Sequence, residues 1–94
     1  MRPLDDATLT TELSRLDGWE LDDGALARTY TFVSFRAAID AIAAIADLAE
    51  DADHHPELTN VYARLTVRWT THDADGVTSR DLEMARRTDE VVHV

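Results

Sequence analysis

Cysteine and lysine are both absent from this 94-residue chain, which also has only three glycines and two prolines. Without cysteine there is no disulfide framework, no thiolate metal ligand and no thiol nucleophile, which fits a reducing cytoplasm as the place of action. No apolar run is long enough to span a bilayer: the richest, Ala37–Ala49, is interrupted by Asp40 and Asp47, and a span needs about 20 residues. The opening Met-Arg-Pro-Leu-Asp-Asp lacks the apolar core of a signal peptide. Cations are scarce too. Nine arginines face nineteen acids, for a formal charge of -10, so nucleic acid and anionic membranes are poor partners for this surface. What remains is the expectation of a single soluble domain over residues 1–94.

What is present is acid and a modest core. Thirteen of the nineteen acids are aspartate, and a dense carboxylate surface of this kind points to a salt-adapted organism, where salt screens the self-repulsion. A domain of this size buries only about 60–65% of its unfolded surface. Association into a homodimer or homotetramer would add to that burial.

Periodicity predicts six elements. Leu9, Leu13 and Leu16 recur at helical spacing, with Asp5 placed to cap the start and Gly18 to end it. Two short alternating runs, Trp19–Leu21 and Leu26–Val33, flank Asp22-Asp23-Gly24 and read as a hairpin. Ser34 can cap a second helix whose apolar stripe is Phe35, Ile39, Ile42, Ile45 and Ala49, and Pro56 stops it. A long alternating strand follows over Asn60–Thr71, with Val61, Ala63, Leu65, Val67 and Trp69 on one face. Asp73–Val77 is a polar loop, and Thr78 caps a last helix running towards Val92. The order α-β-β-α-β-α with alternating strands predicts an α+β fold, an antiparallel sheet with helices on one face.

The candidate chemistry lies in the histidines. His54 and His55 follow the second helix, within Glu50-Asp51-Ala52-Asp53-His54-His55-Pro56, and His72 follows the long strand after Thr71. Element ends are where a scaffold displays functional side chains. Each residue also has a plainer reading. His54-His55 can be a polar helix terminus favoured by the helix dipole. Three histidines raise a zinc site, but adjacent histidines rarely aim at one ion, so no metal is expected. Asp81 completes a Ser/Thr-x-x-acid capping box with Thr78 and can serve only backbone N–H groups. Tyr62 and Trp69 read as sheet and core residues, Trp19 as core or as a stacking wall, and His93 as a surface residue.

Taken together, Glu50, His54-His55-Pro56, Tyr62, His72 and Asp81, at their spacings, resemble the signature of the pterin-4a-carbinolamine dehydratase family. Asp53, Asn60-Val61-Tyr62, Thr71-His72 and Gly18-Trp19 extend the likeness over about Trp19 to Ala85, while Leu58-Thr59 departs from the aromatic residues that animal relatives often carry. The resemblance implies a four-stranded antiparallel sheet and a homodimer or tetramer. It also implies a hydro-lyase that converts 4a-hydroxytetrahydropterin to quinonoid dihydropterin and water, in recycling a tetrahydrobiopterin-type cofactor, with no metal or organic cofactor of its own. By the same analogy His54, His72, His55 and Asp81 are catalytic. The pterin would be held by Trp19, Glu50, Asp53, His54, His55, Pro56, Thr71 and His72. Two other readings keep the fold: a non-catalytic dimerisation or binding module, and a dehydratase for a different pterin.

Overall fold

The computed structural model describes residues 2–94, in the order α1 (Asp6–Leu13), β1 (Glu20–Asp22), β2 (Ala25–Thr31), α2 (Phe35–Ala52), β3 (Glu57–Val61), β4 (Arg64–Trp69), a 3-10 turn at His72–Ala74, and α3 (Ser79–Val91). The strands form one antiparallel sheet in the order β1-β2-β4-β3. One face carries Leu26, Tyr30, Leu65, Val67 and Trp69, all buried against the helices. The other presents Thr29, Arg64, Thr66 and Arg68, none of them buried. Each fully buried aliphatic of the inner face contributes roughly 1.5–3 kcal/mol.

Local chemistry explains most boundaries. Asp5 accepts the Thr8 backbone N–H at the start of α1, which holds its carboxyl below the usual aspartate value. The helix stops at Leu13 rather than Leu16, and two tighter turns, Arg15 N–H to Glu12 and Leu16 N–H to Leu13, deliver Leu16 to the core. The β1–β2 hairpin turns through Asp23 (φ 47°) and Gly24 (φ 78°), the two left-handed residues that an Asp-Gly turn supplies. Gly18 is needed twice over. Its φ is +87°, and a Cβ there would lie 2.8 Å from the Arg28 Nε that crosses it.

Two expectations are corrected. The stripe of α2 that faces inward is Ala38, Ala41, Ile45, Leu48 and Ala49. Phe35 is half exposed and Ile39 and Ile42 lie only partly buried on its shoulder. Small side chains let the helix approach its neighbours closely, so its contact line follows alanine more than isoleucine. The run Asn60–Thr71 is two strands, not one. A two-residue turn at Tyr62-Ala63 folds β3 back on β4, with Val61 opposite Arg64. Tyr62 takes φ 53°, and the Asn60 amide donates to the carbonyls of Tyr62 and Arg64. Val61 therefore points away from the core, and Tyr62 is a 73%-exposed turn residue rather than a sheet residue. The sheet thereby gains the fourth strand that the resemblance implies, and the order becomes α-β-β-α-β-β-α.

Candidate active site

The end of α2 and the end of β4 meet at a cleft of about 450 Å³ lined by Asp53, His54, His55, Pro56, Thr70, Thr71, His72, Asp73 and Arg80. Three elements build it. Helix α2 is closed by Asp53 in the left-handed conformation (φ 49°), with N–H bonds back to Ala49 and Glu50, and this turn throws His54 and His55 off the helix axis. Beyond β4, a bridge between Thr71 and Gly76 and the 3-10 turn bring His72 to the cleft. Arg80, from the first turn of α3, donates to the carbonyls of Ala52 and Asp53 and so ties α3 to the end of α2.

Beneath the cleft lies a fully buried carboxylate. Asp81 Oδ2 accepts the Thr78 backbone N–H (2.8 Å) and the Thr71 hydroxyl (2.8 Å), while Oδ1 is 2.7 Å from His54 Nε2. Thr71 spends its one proton on Asp81, so the Thr78 hydroxyl is the donor in the 2.9 Å contact between the two threonines. One oxygen of Asp81 thus closes the capping box and the other meets a histidine. A carboxylate can only accept, so His54 Nε2 carries the proton. Nδ1 has no protein partner, yet no buried side-chain nitrogen or oxygen is left unpaired among the described residues, so Nδ1 is not fully buried. The imidazole also stacks on Trp69, centroids 5.6 Å apart and planes 16° apart.

His55 is exposed, and its Nε2 meets Glu50 Oε2 at 2.7 Å. His72 is exposed on the wall it shares with Thr71. Glu50 thus stands behind His55 without lining the cleft itself. Among the described residues no His, Cys, Asp or Glu side chains group so as to hold a metal ion.

Trp19 does not join this set. It is buried in the core, edge-on to Tyr30, and its Nε1–H donates to Asp89 at 3.0 Å. Beside the hairpin its indole had an apolar interior to enter and a part-buried acceptor to satisfy it, so it packs inward. Conversely, Thr70, Asp73 and Arg80 line the cleft and went unread. Arg80 sits in the capping box itself, but only the folded backbone shows that it reaches α2. Tyr62 lies in the turn before β4, at the end of that strand remote from His72.

Residues 2–91 match the family described as pterin 4 alpha carbinolamine dehydratase. A relative from Thermomicrobium roseum is 45% identical over 97% of this chain and 98% of its own. One from Halobacterium salinarum is 46% identical over 93% of each. Both are provisionally named pterin-4-alpha-carbinolamine dehydratases. A Brucella melitensis crystal structure described as a transcriptional coactivator/pterin dehydratase superimposes with a TM-score of 0.92 at 36% identity, covering 98% of this chain and all of the other. A pterin dehydratase-like RuBisCO assembly factor of the alpha-carboxysome shares the fold alone, with a TM-score of 0.65 at 16% identity. With its signature histidines gathered in one cleft and the match running almost end to end, the chain belongs to the pterin-4a-carbinolamine dehydratase family.

Proposed function

We propose that the protein is a hydro-lyase that removes water from a 4a-hydroxytetrahydropterin, giving the quinonoid dihydropterin in the recycling of a tetrahydrobiopterin-type cofactor. The observation that carries this reading is the convergence of three histidines from two separate elements on one cleft, one of them held by a buried carboxylate. In the reaction the C4a–O bond breaks as the leaving hydroxyl takes a proton, and N5 gives up its proton as the C4a–N5 double bond forms. One acid and one base suffice, and imidazole works near neutrality in either role. His54 and His72, both lining this cleft, serve as this pair. The Asp81 contact leaves Nδ1 as the nitrogen of His54 that exchanges protons with substrate. His55, steadied by Glu50, orients the pterin together with Asp53, Pro56 and Thr71. The enzyme works as a cytoplasmic homo-oligomer and needs no metal for these steps.

The test is a dehydration assay with freshly generated 4a-hydroxytetrahydropterin, read against the uncatalysed reaction. The double variant His54→Ala/His72→Ala should lose about 10²–10⁴-fold in turnover, the range for positioned acid–base groups. His55→Ala should mainly raise KM. Wild-type turnover in the double variant would end the enzyme reading and leave a binding module of the same fold.

A further inference from the structure

We propose that Trp69 is a positioning residue: its indole face fixes the plane of the His54 imidazole, so that Asp81 and Trp69 together aim Nδ1 into the cleft. The proposal rests on the dehydratase reading for its kinetic consequence but not for its geometry.

A hydrogen bond at one ring nitrogen sets the direction of that N–H and leaves the ring free to swivel about the bond. His54 has this bond to Asp81 and no other side-chain partner among the described residues. It also stands just outside α2, one residue past the left-handed Asp53; its backbone N–H still bonds to the Ala49 carbonyl, but that bond does not set the plane of the ring. The missing restraint is supplied face-on. The Trp69 ring lies nearly parallel to the imidazole, with 5.6 Å between centroids. Trp69 is itself held: it has no exposed surface, and its Nε1–H donates to Thr88 Oγ1 at 3.0 Å. The Thr88 hydroxyl in turn donates to the Met84 carbonyl at 2.6 Å, which fixes the acceptor on α3. Asp81 and Thr88 are on the same helix, so α3 holds both restraints on His54 at a set separation: Asp81 at one ring nitrogen and, through Thr88, the indole against its face.

A residue that only filled the core would be replaceable by any side chain that keeps the fold. A positioning residue requires an aromatic face. The comparison is therefore Trp69→Phe against Trp69→Leu in the full chain, both checked for folding by circular dichroism. Small misplacements of a reacting group cost up to about 10²-fold. Trp69→Leu should lower kcat about tenfold with KM within about twofold, and Trp69→Phe should recover to within about threefold of wild type. Should Trp69→Leu fail to fold, the near-isosteric Thr88→Val removes the hydrogen bond that orients the indole and should lower kcat about threefold. A direct reading needs no variant. In the wild-type NMR spectrum the His54 ring protons should lie upfield of those of His55 and His72, displaced by the indole ring current. A folded Trp69→Leu with wild-type kcat, or His54 ring protons at the position of the two exposed histidines, overturns the proposal. If the wild-type protein lacks dehydratase activity altogether, that defeats the function reading, and the NMR result still decides the stack.

Discussion

At one end of α3 Asp81 accepts from the Thr78 backbone, the Thr71 hydroxyl and His54; at the other end Asp89 accepts from the Trp19 indole, the Arg28 guanidinium and the Tyr30 hydroxyl. The two carboxylates are eight residues apart, about 12 Å along the helix, and each is the hub of a polar cluster that ties sheet to helix. Their partners differ in one respect. The donors on Asp89 lie away from the histidines: neither Trp19, Arg28, Tyr30 nor Asp89 lines the histidine cleft, and Arg28 is shared with the Asp17 carbonyl. Arg28 even closes the cluster from above, its guanidinium 4.5 Å from the centre of the Tyr30 ring. At Asp81 one donor is an imidazole whose second nitrogen has no partner among the described residues, on a residue that lines the cleft. A carboxylate hub alone does not mark a site. A partner that can take up or release a proton beside a cleft does.

The sharpest way to break this comparison is to make the same change at both ends. Asp81→Asn keeps an oxygen for the Thr78 N–H but presents an amide N–H₂ to His54 Nε2, which then must accept and place its proton on Nδ1. Turnover should fall about 10²-fold, because the wrong nitrogen carries the proton. Asp89→Asn should leave turnover within about twofold. It should instead cost about 1–3 kcal/mol in urea unfolding, the range for weakening hydrogen bonds to a charged group. If Asp89→Asn impaired turnover as severely as Asp81→Asn, the division into a chemical and a structural end would be wrong.

How much of this was legible in the sequence depends on the range of each contact. The Asp23-Gly24 turn and the Ser34 and Thr78 caps join residues no more than three apart, and each is visible as a short motif. The Tyr62-Ala63 turn is equally local but hidden, because it uses neither glycine nor proline and the alternation runs on through it. Asn60, whose amide binds both flanking carbonyls, was the one available signal. The His54–Asp81 and Trp19–Asp89 bonds span 27 and 70 residues, and no spacing rule reaches that far. The family signature pointed to His54, His72 and Asp81 as one site. It could not say that Asp81 does two jobs, or that Trp19 belongs to the opposite end of α3.

A second, smaller test concerns alkaline pH. Burial, and then the hydrogen bond to Asp89, push the Tyr30 hydroxyl above the ordinary tyrosine value of 10.0. The folded state therefore holds this proton more tightly than the unfolded chain. The associated stability is complete below pH 10 and is lost progressively above it, as the unfolded tyrosine ionises first. The melting temperature of the wild type should fall above pH 10, and the fall should be shallower in Tyr30→Phe. Identical alkaline slopes in the two proteins would remove the Asp89 cluster as a titrating unit.

Salt should produce the smallest effect and separates the ends most finely. Ten acids have no arginine to balance them, so raising salt from 0.1 to 1 M, which shortens the screening length from about 10 to about 3 Å, should relieve repulsion and raise the melting temperature of the wild type. The same screening acts on favourable pairs in proportion to their exposure. Arg28 and Asp89 keep 26% and 31% of their side-chain surface, whereas His54 and Asp81 keep 10% and none. A double-mutant cycle between Arg28 and Asp89 should therefore lose a few tenths of a kcal/mol of coupling over this range, as exposed pairs do. The cycle between His54 and Asp81 should hold its value, because ions do not reach that contact. Equal salt sensitivity at both ends would mean that Asp81 is as accessible as Asp89, and a water-filled space beneath His54 would then have to replace the sealed carboxylate in the account of its tautomer.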